Sequence, residues 1–284
     1  MKIHHTNNEK LAYLNRDHVA TLVIERARQL VKQLVEQRGH ENPPFLGEEF
    51  ARLLGVKRIE KADLQETSGI LLRLAEGYII KTNERQHSTR GNFSCAHEIG
   101  HILLDELKLE PRIEDEEFRT FNPQAHAIAR ARARERICDI AATELLMPEQ
   151  VFKRYLSYFG VSVYSLERLA NVFKVSIQST AIRMAELSTE PSCVALLWKP
   201  WPRNNPKALR LAWPKRNPQG KLCIPVNTVV RPPSTLHKAY QQDSPVKSLI
   251  LFKVGNTKKR LRMESKGFGR DENRYVISLA LHDR

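Results

Sequence analysis

Residues 97–101 read His-Glu-Ile-Gly-His, and this stretch constrains the chain more than any other. Cys95-Ala96 before it and Ile102-Leu103-Leu104 after it suit a helix. Side chains four apart in a helix lie on one face. His97 and His101 can therefore reach one metal ion, while Glu98, one residue along, can touch a water on that metal. An ordinary amphipathic helix with two polar histidines and an exposed glutamate would show the same five letters. The motif therefore needs a partner elsewhere in the chain.

A second helix supplies one. Pro123 opens an Ala-rich segment that runs to Met147, where Pro148 stops it. Within it, Glu135-Arg136-Ile137-Cys138-Asp139 places two carboxylates at i and i+4 on one face. Two histidines and one distant carboxylate make a catalytic zinc set with a fourth position left for water. A ligating histidine also wants a partner for its other ring nitrogen, usually a carboxylate or carbonyl. Glu135 as ligand and Asp139 as that partner would meet both needs from one helix. Taken alone, these acids beside Arg130, Arg132, Arg134 and Arg136 would read as a solvated charged face.

Other zinc arrangements are excluded by spacing. A longer metzincin pattern would put glycine at 104 and histidine at 107, where this chain has Leu104 and Leu107. The reversed order His-x-x-Glu-His is absent.

The run Arg90-Gly91-Asn92-Phe93-Ser94-Cys95-Ala96-His97-Glu98-Ile99-Gly100-His101-Ile102-Leu103-Leu104 resembles the metal helix of the ImmA/IrrE metallopeptidases. So does Glu135-x-x-Cys138-Asp139-x-x-Ala142-x-Glu144-Leu145-Leu146-Met147-Pro148, although that family more often has Ala-Asn where this chain has Cys138-Asp139. The strand-like run Gly77–Asn83 fits as well, and the resemblance covers roughly residues 10 to 187. It implies a zincin-like, cytoplasmic zinc protease that cuts a regulatory protein, commonly a helix-turn-helix repressor, in stress or mobile-element control.

Composition sets outer bounds. At 284 residues two domains are plausible, each able to bury a core. No run of eighteen apolar residues exists, so no membrane partner is expected. The start, Met1-Lys2-Ile3-His4-His5, lacks the apolar core of a signal peptide. Cysteines at 95, 138, 193 and 223 form no close pair and read as reduced thiols. Cys95 and Cys138 flank the proposed metal residues, where packing is favoured over ligation.

The charge is uneven. Residues 191–284 hold 19 Lys or Arg against 5 Asp or Glu, whereas 1–190 balance at 27 against 27. Such a surplus favours nucleic acid or an acidic protein partner, unless it is ordinary solvated surface.

Three segments follow along the chain. Residues 1–148 read as the zincin-like metallopeptidase domain. It holds an amphipathic helix over Asp17–Arg38, a short helix ending near Leu54 with Gly55 as its cap, and strands around Val56, Gly69–Leu74 and Tyr78–Thr82. Residues 149–188 read as a helical, helix-turn-helix-like segment, with Val175-Ser176 at the turn and Gln178, Ser179 and Arg183 on its second helix. That helix carries little charge, so packing is favoured over DNA reading. Residues 189–284 alternate Pro-rich loops with β-rich runs (Val194–Trp198, Leu209–Trp213, Val246–Val254, Tyr275–Leu281) and read as a basic β-rich or α+β domain. In radiation-response relatives the corresponding region resembles a GAF-type sensor. Trp198, Trp201 and Trp213 could stack on bases, or serve as core. The fold class is therefore α+β.

These readings converge on a zinc-dependent endopeptidase. Zn2+ is expected on His97, His101 and Glu135, with Glu98 as the base that takes the proton of water and returns it to the leaving amine. Asp139 is expected behind a ligating histidine. The strand at Tyr78–Thr82, read as an edge, would bind substrate backbone through Tyr78, Ile80 and Thr82. His87, His126 and Tyr155 are candidates for stabilising the oxyanion. The alternative is a non-proteolytic DNA- or protein-binding regulator whose metal is structural, with Cys95 or Cys138 as a fourth ligand.

Overall fold

The computed structural model describes residues 12–112, 123–189, 193–201, 208–220, 224–254 and 257–282. The chain divides into two compact units, 1–148 and 149–284. The architecture is α+β, as the sequence indicated.

In the first unit the elements run β1 (Ala12–Asn15), α1 (Arg16–Arg38), α2 (Gly47–Leu53), β2 (Arg58–Ala62), β3 (Gly69–Leu74), β4 (Gly77–Asn83), α3 (Ser88–Glu106), β5 (Leu109–Arg112) and α4 (Pro123–Leu146). Helix α1 buries Val19, Val23, Ala27, Leu30, Val31 and Leu34, the stripe its periodicity predicts. It packs on α4, where Arg28 Nε donates to the buried Glu144 at 3.2 Å. Strands β1 and β5 pair in parallel.

Helix α2 ends in a Schellman motif. Gly55, at φ 68°, donates its N–H to Arg52 O, and Val56 donates to Ala51 O. That second bond draws Val56 into the helix end, so β2 starts at Arg58 and not around Val56 as the sequence suggested.

The three-stranded sheet has the order β2-β4-β3, with β2 parallel and β3 antiparallel to β4. The strand at Tyr78–Thr82 is therefore central, which corrects the reading of it as an edge. Both its neighbours are in place, Ile80 is wholly buried and Thr82 nearly so. Tyr78, Ile80 and Thr82 consequently cannot take a substrate strand by edge addition, because no unpaired backbone edge remains at β4. Helix α3 lies on this sheet, in contact with β3 and β4.

The second unit contains α5 (Glu149–Phe159), α6 (Val163–Phe173), α7 (Ile177–Leu187), β6 (Val194–Trp201), β7 (Ala208–Arg216), β8 (Val229–Val230), α8 (Thr235–Gln241), β9 (Val246–Val254), β10 (Thr257–Phe268) and β11 (Tyr275–His282). The strands form one antiparallel sheet in the order β8-β7-β6-β11-β10-β9. The helix pair α6–α7 turns at Lys174 (φ 54°) and Val175, and Ser176 caps α7 by accepting Ser179 N–H at 3.0 Å. Helix α7 packs on β6 and β7, with Thr180, Ala181, Arg183, Met184 and Ala185 buried. Arg183 is thus spent on packing and not offered to a groove.

Trp198 is also core: it is 1% exposed, and its Nε1 donates to Ser278 Oγ at 3.2 Å. Trp201 is exposed and stacks under the Arg210 guanidinium, 3.7 Å from its centroid. Cys95, Cys138 and Cys193 are buried; Cys223 lies outside the described residues. No described helix is long and apolar enough to cross a membrane.

Candidate metal centre

The centre forms where α3 and α4 cross at backbone distance. A Cβ built on Gly100 would lie 2.7 Å from Cys138 Cα, so only glycine permits this approach. Around the crossing α3 buries Ala96, Ile99, Ile102, Leu103 and Leu104, and α4 buries Ile137, Cys138, Ala141 and Ala142. The small residues of α4 let the helices meet; the larger ones of α3 hold them there. Gly100→Ala must force backbone apart, and about 1–3 kcal/mol of destabilisation is expected, as for overpacked cores. Denaturant unfolding of the variant checks this, and unchanged stability would mean that the helices need not touch there.

The close approach brings the polar residues together. Nε2 of His97 lies 3.1 Å from Glu135 Oε2, and Nε2 of His101 lies 3.5 Å from Glu135 Oε1. A tetrahedral zinc ion holds N and O donors at about 2.0–2.2 Å, which sets neighbouring donors roughly 3.3–3.6 Å apart. The His101–Glu135 separation falls within that range, and the His97–Glu135 separation lies just below it. The Glu135 side chain is 58% exposed while each imidazole is 16% exposed, so the set is open on one side. Openness of this kind belongs to catalytic and not to closed structural sites.

Behind the donors, the two histidines are backed differently. His97 Nδ1 lies 2.9 Å from Asp139 Oδ1, and His101 Nδ1 lies 3.3 Å from Cys138 Sγ. His97, His101 and Cys138 also form a compact cluster of possible ligand atoms. The sulfur, however, faces the opposite ring nitrogen of His101 from the one that faces Glu135. Burial pushes the Cys138 thiol well above its usual range, reinforced by Glu135. Glu135 is therefore the better third donor.

Burial lowers the His101 pKa to about 4, against the opposing pull of Glu135, so its imidazole is neutral and its lone pair available. At His97 burial also pushes downward, but the Asp139 hydrogen bond and the charges of Asp139, Glu98 and Glu135 outweigh it, and the net shift is upward. Glu98 is 7% exposed; burial raises its pKa, His97 lowers it, and Glu135 raises it again.

Several residues at the site went unread in the sequence. Gly69 on β3 lies against the base, since a Cβ there would come 2.8 Å from Glu98 Oε1. A glycine at the start of a strand hints at close approach, but nothing local says to what. Asp105 sits four residues after His101 on the same helix and receives Arg73 of β3 at 2.6 Å and Arg134 of α4 at 3.4 Å. This ties sheet, metal helix and partner helix together beside the donors.

The oxyanion candidates fare differently. His87 caps α3, its Nδ1 accepting Thr89 N–H. Tyr155 packs tilted against Phe159 and edge-on to Phe173 in the second unit. The side chain of His126 falls outside the described ones.

A helix bearing His-Glu-x-x-His, crossed by a second helix that presents a glutamate and laid on a small mixed sheet, defines a zincin-like metallopeptidase unit. The family model of the IrrE N-terminal-like domain (Peptidase_M78) matches residues 54–185, the stretch that holds both helices of the site. The radiation response metalloprotease IrrE of Deinococcus radiodurans is 32% identical over 123 residues, 43% of this chain and 35% of that protein. The protein of the same name from Deinococcus deserti is 30% identical over 124 residues, 43% of this chain and 41% of the relative. The matched stretch is thus well under half of either relative. Among solved structures, a Mycobacterium tuberculosis transcriptional regulator superposes with a TM-score of 0.60, covering 95% of this chain and 81% of that one. At 12% identity that likeness concerns fold alone.

Proposed function

We propose that this chain is a zinc-dependent endopeptidase that cleaves a regulatory protein, a helix-turn-helix repressor of stress-response or mobile-element genes. The convergence of both Nε2 atoms on the Glu135 carboxylate, with Glu98 buried alongside, carries the reading. His97, His101 and Glu135 would hold the ion. A zinc ion there would polarise the scissile carbonyl and bring the pKa of a water toward neutrality. Glu98, with its pKa raised, accepts the proton of the attacking water and delivers it to the leaving amine nitrogen. Asp139 accepts the His97 Nδ1 proton and keeps Nε2 facing Glu135.

The substrate strand is assigned to β3 in place of β4. Strand β3 has a single paired edge among the described residues, and its Gly69 lies against Glu98. Absence of a side chain at Gly69 leaves the base its room.

A protein substrate is supported by the likeness to the radiation response metalloproteases, and the repressor is the specific target to be tested. Co-expression of candidate repressors with the wild-type chain or with Glu98→Gln, followed by mass spectrometry, tests it. Cleavage products confined to the wild-type cells are expected. Intact repressors in both would remove the repressor as substrate.

The presence of Cys138 in the histidine cluster favours one second reading: a closed structural metal site in a non-proteolytic DNA- or protein-binding regulator. The basic last third, residues 191–284, would then bind nucleic acid or an acidic partner. If phosphates are its target, nucleic-acid binding by the full chain weakens steeply with added salt, because each neutralised phosphate releases counterion. No binding at low salt would remove nucleic acid as the partner of this region.

A further inference from the structure

Cys138 stands at the centre of the α3–α4 crossing and has no part in the chemistry above. It is wholly buried, its backbone sits against Gly100, and its Sγ is 3.3 Å from Nδ1 of His101. A histidine that offers Nε2 to a metal carries its proton on Nδ1. At His97 that proton meets a carboxylate; at His101 it meets a sulfur, a weak acceptor. Ligation by the sulfur would require it on the Nε2 side of the ring, where Glu135 stands.

We infer that Cys138 is a positioning residue: its sulfur accepts the His101 Nδ1–H and holds that imidazole with Nε2 toward Glu135. The two imidazoles are thus held by different partners, His97 by a carboxylate oxygen and His101 by a sulfur. This inference rests on the metal centre proposed above.

The test uses the full chain, with zinc affinity measured by chelator competition and cobalt(II) as a spectroscopic replacement. Cys138→Ala should weaken zinc binding by about 10–100-fold, the usual effect of losing a partner behind a metal ligand. Cys138→Ser, whose hydroxyl accepts the same proton, should restore most of that loss. Cys138→Val fills the space without an acceptor and should behave as alanine does, which covers the case where alanine leaves a cavity that unfolds the unit. The cobalt spectrum of the wild-type chain should lack a thiolate-to-metal charge-transfer band.

Wild-type affinity in both Cys138→Ala and Cys138→Val would overturn the inference, as would equal losses in Ser, Ala and Val, which would show a packing role only. A charge-transfer band that disappears in Cys138→Ser would make Cys138 a ligand. Failure of the wild-type chain to bind zinc or cobalt at all would instead bring down the metal centre itself.

Discussion

Replacing Glu98 with glutamine is expected to lower substrate cleavage by about 10²–10⁴-fold, the usual worth of a positioned general base, while zinc remains bound near one per chain. Glutamine keeps the size of the side chain and its place under Gly69, so the donors on either side are undisturbed. What disappears is the carboxylate that takes the proton. Glu98 suits that role because it is 7% exposed and sits beside Glu135, and both conditions raise its pKa toward the working range of a base near neutrality. Hydrolysis of the cleaved repressor, assayed together with metal analysis, decides the matter. Cleavage at near wild-type rate would exclude Glu98 from the mechanism.

The second large effect separates the two acids of α4. Glu135→Ala removes the carboxylate that spans both Nε2 atoms, so zinc should be lost on dialysis and activity with it. Asp139→Ala leaves all three donors and removes the acceptor behind His97, so affinity or activity should fall by about 10–100-fold. Metal content after dialysis, measured for both variants side by side, distinguishes the roles. Retention of zinc by Glu135→Ala with its loss from Asp139→Ala would mean that the two residues have exchanged places.

Both acids show how local spacing carries chemistry. Glu135 and Asp139 are one helical turn apart, as are His97 and His101, and a helix presents such pairs on one face whatever surrounds it. The stripe from Val19 to Leu34 buries for the same reason. Helices α2 and α5 end where Gly55 and Gly160 follow them, each at positive φ just beyond the last turn.

Strand order behaves differently. Gly69–Leu74 and Gly77–Asn83 are legible as strands, yet which of them ends the sheet depends on Arg58–Ala62 pairing in parallel with the farther strand. That pairing is a contact between residues some twenty positions apart, and no periodicity within either run reports it. The strand at the edge is consequently β3 and not β4.

Residue types and helical faces, with the candidate donors they present, were therefore legible in the sequence alone, because 3.6-residue periodicity and imidazole and carboxylate chemistry are properties of short segments. Tertiary structure decided the rest: that Gly100 lets α3 and α4 touch, that Gly69 faces the base, that Asp105 gathers Arg73 and Arg134, and that Cys138 stands behind His101. Each of these is a meeting of distant residues across a close-packed interface, where a single methyl group changes what fits.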